Sequence, residues 1–146
     1  MEVSWYQVKQ REDRHRFSSM ASDALLGIKI IEAQMKVGAA TEYPSSELKK
    51  LLKTGEILVN SVLGGIEFLR GSATAKSLNP ELVFVINRMR REDYLSLDEL
   101  EERCKVALQA LQFEESGRPN LEKLGVAEHL LNDIATSSRI EGKTPF

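Results

Sequence analysis

Apolar residues along this chain recur three and four positions apart, and nowhere do they alternate with polar ones over a sustained stretch. That spacing lines one face of an α-helix, whereas a half-buried strand needs a period of two. No Asn-Gly or Asp-Gly hairpin signal is present either. The pattern predicts an all-α chain, a compact bundle of five or six helices with short loops and an N-terminal helical arm.

Start and stop signals divide the pattern. Residues 4–17 open on Ser4 as a cap, but Trp5, Val8 and Phe17 make no continuous stripe and Lys9 to Arg16 is mostly charged. This segment is expected to be an arm whose helix depends on packing against something else. Ser22 then caps a helix over 22–37, with Ala24, Ile28, Ile31 and Met35 on one face and Gly38 as terminator. From Ser45 a helical pattern runs toward Arg70. Thr54-Gly55-Glu56 is a candidate break, with Thr54 capping a second helix and Gly71 ending it. Gly64-Gly65, inside the same apolar pattern, predicts a kink or a close helix crossing.

Asn79-Pro80-Glu81 is a strong start signal: a capping Asn, a proline whose missing N–H costs nothing, and an acid at the positive helix end. Leu82, Val83, Ile86 and Met89 form the expected buried face. Ser96-Leu97-Asp98-Glu99 is a capping box, with Leu95 and Leu100 as its hydrophobic staple. Leu97, Leu100, Cys104, Ala107, Leu108 and Leu111 carry that helix on, and Glu101 and Lys105 form an exposed pair one turn apart. Glu114 to Pro119 reads as a turn. A last helix over 120–136 points Leu121, Leu124, Leu131 and Ile134 inward. The expected organisation is an arm at 1–20, a helical bundle domain at 21–136 and a flexible tail at 137–146.

At 146 residues the chain can bury a sizeable core without staples. Its single cysteine, Cys104, allows no intramolecular disulfide. No apolar run follows a basic start, and none approaches the roughly 20 residues of a membrane span. A reducing intracellular setting is expected, cytoplasmic with the nucleus left open, and no membrane partner.

The chemistry-bearing residues are scattered. His15 and His129 lie far apart and Cys104 has no cysteine partner, so spacing predicts no metal site, no cofactor and no catalytic centre. Cys104 sits one turn from Leu100 and from Leu108, which predicts a buried, quiet thiol rather than a nucleophile paired with His129. Two basic clusters stand out: Arg11, Arg14 and Arg16 with Lys9 and His15, and then Arg88, Arg90 and Arg91. They are candidate phosphate contacts if the fold joins them on one face. Residues 92 to 115 carry eight acids against Arg103 and Lys105, a net charge of −6 that, beside Arg-rich ends, suits head-to-tail self-association or docking of a basic partner.

The expected function is a non-enzymatic α-helical interaction or assembly module, docking onto another protein or onto copies of itself. Trp5, Tyr6 and Phe17 are its candidate contact residues, being aromatic and gathered at one end. These side chains are expected to pack into a groove of the same bundle or of a second copy. The alternative is a helical nucleic-acid-binding accessory protein using the arginines on phosphates.

Overall fold

Local capping and helical periodicity resolve into five helices: α1 (Trp5–Lys36), α2 (Ser46–Leu69), α3 (Pro80–Asp93), α4 (Leu97–Leu111) and α5 (Leu121–Ser137). The computed structural model describes residues 5–36, 46–71, 79–112 and 121–139, the side chains of 5–7 excepted. It is 92% helical over those residues, with no strand among them. The expected terminator Gly38, the linker to Pro44, the turn from Glu114 to Pro119 and the tail from 140 lie outside the described residues.

α1 and α2 pack together, as do α4 and α5, and α1–α5 and α2–α4 contacts close these pairs into a four-helix ring. α3 lies against α2, α5 and, more lightly, α1. The ring is filled by branched and aliphatic side chains, among them Ile28, Leu58, Ile66, Ile86, Met89, Leu100, Leu124, Leu131 and Ile134, all essentially removed from water. Burying such chains is the main favourable contribution to this fold, at about 1.5–3 kcal/mol each.

Residues 5–20 of the expected arm are the first half of α1, and the boundary expected at 20/21 falls inside a continuous helix of 32 residues. No glycine or proline interrupts Ser18 to Ser22, and Ser22 stands mid-helix instead of at a cap. The charged stretch is held by its own ion pairs. Asp13 is 3.4 Å from Lys9 and 3.7 Å from Arg16, each one turn away.

α2 is likewise unbroken at Thr54-Gly55. The Thr54 hydroxyl donates back to the Lys50 carbonyl at 3.0 Å, so its side chain serves the helix interior and caps nothing. Gly71, at φ +85, ends the element as expected.

Both later start signals form as read. Asn79 Oδ1 accepts from the Glu81 N–H at 2.9 Å. In the capping box, Ser96 Oγ accepts from the Glu99 N–H at 3.1 Å while Glu99 Oε1 accepts from the Ser96 N–H at 3.3 Å. The buried faces differ in detail. Val85, and not Val83, joins Leu82, Ile86 and Met89 inside. Leu121 opens α5 pointing outward, because only the residues from Leu124 onward reach the ring. Ser137 and Ser138 are buried, and the Ser138 hydroxyl donates to the Ile134 carbonyl at 2.6 Å, so the packed chain runs past the expected start of the tail.

Candidate functional site

The residues expected to meet a partner are divided by the fold. Phe17 is 6% exposed, in contact with the bundle's own core, and so is spent on the fold. Trp5 and Tyr6 open α1, and their side chains lie outside the described residues. Apolar exposure occurs elsewhere. On α2, Ile57 is 50% and Phe68 46% exposed, and Ser61 and Gly64 lie between them on the same outer face. A Cβ on Gly64 would meet nothing within 4 Å among the described residues. Leu26 and Ile30 expose a second apolar pair one turn apart on α1.

The arginines are placed on two separate parts of the molecule. Arg14 reaches from α1 to the buried carboxylate of Glu81 and stacks on Phe84, with its guanidinium 4.0 Å from the ring centre. Arg16 pairs with Asp13 and lies over Phe17. Arg11 is half-buried on the same helix. At the far end of α3, Arg88 donates to the Arg139 carbonyl at 2.9 Å and Arg90 to the Leu95 carbonyl at 3.2 Å, while Arg91 is exposed. Glu81 and Arg91 are ten helical positions apart, roughly 15 Å at 1.5 Å per residue. The acidic face of α4 is also partly neutralised. Arg70 bridges Asp98 and Glu101, and Lys105 sits 2.9 Å from Glu101. Lys105 and Arg70 hold the Glu101 carboxyl below the ordinary range, and Glu101 raises Lys105 in return.

A constellation absent from the sequence reading forms where α3 ends against α5. Tyr94 takes the left-handed conformation, φ 54 and ψ 45, and stops α3 directly after Asp93. Its side chain is 92% exposed. Asp93 faces α5, where His129 and Asp133 share a helix face one turn apart. His129 Nε2 lies 3.3 Å from Asp133 Oδ2 and 3.9 Å from Asp93 Oδ2. Arg103 of α4 comes to 3.9 Å from the same Asp93 oxygen.

Burial, and then contact with Asp93, pushes the Asp133 carboxyl up to about 7. A second acid pair joins α1 to α5, where a hydrogen bond with Glu128, followed by burial, raises Glu32. The only readable sign of the first cluster is the His129–Asp133 spacing. Asp93 joins through tertiary packing alone.

Cys104 is fully buried, as its register predicts, and burial followed by the charge of Glu101 pushes its thiol up to about 12. That leaves essentially no thiolate at neutral pH. A thiol reagent at pH 8 should label the native protein far more slowly than the denatured one. Equal rates would place the thiol at the surface. No helix among the described residues is long and apolar enough to cross a membrane.

Comparison with protein-family models, with curated proteins and with solved structures finds no match for this chain.

Proposed function

We propose that this chain is a non-enzymatic α-helical interaction module that docks onto another protein or onto a second copy of itself. The observation that carries the reading is the outer face of α2. A glycine in mid-helix costs about 1 kcal/mol relative to alanine, and no described residue lies where a Cβ on Gly64 would need the space. Flanked by half-exposed Ile57 and Phe68, with the Ser61 hydroxyl turned back to the Ile57 carbonyl at 3.0 Å, it makes a shallow apolar seat. Such a seat lets the backbone of another helix approach closely. Trp5 and Tyr6 belong to the proposed contact surface as residue types favoured at binding hot spots. The alternative reading on nucleic acid is weakened by the internal bonds of Arg14, Arg88 and Arg90.

Gly64→Ala separates the two demands on this position. It should stabilise the isolated chain by up to about 1 kcal/mol in urea unfolding, yet weaken docking by filling the seat. Ile57→Ser with Phe68→Ser should abolish docking while leaving the core intact. Multi-angle light scattering reads self-association, and a pull-down from the native host reads another partner. Association unchanged in both variants would remove α2 as the contact face.

A further inference from the structure

We infer that Asp93, His129 and Asp133 bind a divalent transition-metal ion of the Zn2+ class at the junction of α3 and α5. One imidazole and two carboxylates are a donor set that suits such ions, whereas Ca2+ takes six or more oxygens and Mg2+ keeps most of its water. The three donors already converge, one atom from each lying within 4.8 Å of the others. Tetrahedral bonds of about 2.0–2.2 Å place donor atoms roughly 3.3–3.6 Å apart. The distance of 3.3 Å from His129 to Asp133 meets that spacing, and the 3.9 Å to Asp93 needs a closure of a few tenths of an ångström. His129 is 59% exposed on its side chain, so the fourth position opens toward solvent.

An independent observation points to a cation here. The Oδ2 atoms of both Asp93 and Asp133 are buried and accept no hydrogen bond from a described residue. Buried carboxylate oxygens are costly without a donor, and two facing each other repel when both are ionised. Asp93 is moreover the last residue of α3, where the helix dipole disfavours an acid. The charged groups facing the pair are Arg103 from α4 and His129 from α5 itself. Arg103, at 3.9 Å from one of the two oxygens, gives neither a hydrogen bond. A cation bound by all three side chains would neutralise the pair and take both oxygens as ligands. The Glu32–Glu128 pair is not among the converging donors and is not part of the site.

Thermal unfolding of the full chain at pH 8 should show a rise in Tm of at least roughly 5 °C with ZnCl2 at a hundred times Kd. Isothermal titration of the full chain should give one ion per chain. Changes in supporting residues alone cost metal sites about 10–100-fold, so His129→Ala and Asp133→Asn should each weaken binding at least roughly tenfold. Asp133→Asn removes the repulsion and should fold at pH 8 at least as well as the wild type, so its loss of binding would not reflect unfolding. Two results overturn the assignment. One is no saturable Zn2+ binding by the wild-type chain. The other is Zn2+ binding that survives both substitutions.

Discussion

Replacing Arg14 by alanine should destabilise the protein by about 3–5 kcal/mol, the usual cost of removing one partner from a buried ion pair. The side chains of Arg14 and Glu81 are only 16% and 8% exposed. With the guanidinium gone, Glu81 keeps a charge in a space that water reaches poorly, and its remaining choices are to take up a proton or to open the α1–α3 contact. Phe84 also loses the cation lying over its ring. Urea unfolding of the single variants and of Arg14→Ala with Glu81→Ala gives a double-mutant cycle. The double variant should be more stable than Arg14→Ala alone, since it removes the stranded charge. A loss below about 1 kcal/mol in Arg14→Ala would place the pair in the class of solvated surface bridges. Because a buried pair often gains little over apolar residues of the same shape, Arg14→Met with Glu81→Leu should lie close to the wild type.

The pair also marks how far the sequence carries. Arg14 reads there as a phosphate contact, and Glu81 as an acid at the positive end of α3. They are 67 positions apart, and only the α1–α3 crossing joins them. Signals that close within a few residues are legible: the Asn79 cap, the Ser96–Glu99 box, the αL glycine at 71 and the apolar register of Cys104. Each rests on a bond or a burial decided by its own helix. Breaks are less legible, because Ser22 and Thr54 have the same chemistry at a cap as in mid-helix, where the Thr54 hydroxyl bonds back to the Lys50 carbonyl. Packing from the ring's other members keeps α1 and α2 continuous through both. The metal-ligand cluster is half legible. His129 and Asp133 are one turn apart on one helix, but the third ligand comes from the last residue of another.

The same limit separates the glycines of α2, and there the expected effects have opposite signs. Adjacent glycines at 64 and 65 suggest a close crossing, while Gly55 beside Thr54 suggests a break. While a Cβ on Gly64 would meet nothing within 4 Å among the described residues, a close crossing is found at Gly55. A Cβ there would stand 2.7 Å from the Ala24 Cβ and 3.3 Å from both terminal methyls of Leu111. Leucine methyls can turn aside, but the Ala24 Cβ is fixed to the backbone of α1 and has no rotamer to take. Gly55→Ala must therefore separate α1 from α2 or roll one on the other, disturbing the ring where Leu58 and Ile28 are fully buried. Alanine would gain up to about 1 kcal/mol of helix propensity, and overpacking of this kind costs typically 1–3 kcal/mol. The clash sits at a backbone-anchored carbon, so the high end of that range applies and the net effect should be a loss of about 1–2 kcal/mol. Adding Ala24→Gly removes the colliding atom and should restore part of the loss, offset by the propensity cost of a new glycine in α1. Thermal unfolding of Gly55→Ala, Gly64→Ala and the compensated double variant tests the assignment directly. If Gly55→Ala raised Tm as Gly64→Ala should, α1 and α2 could not cross as closely as their Cβ positions require.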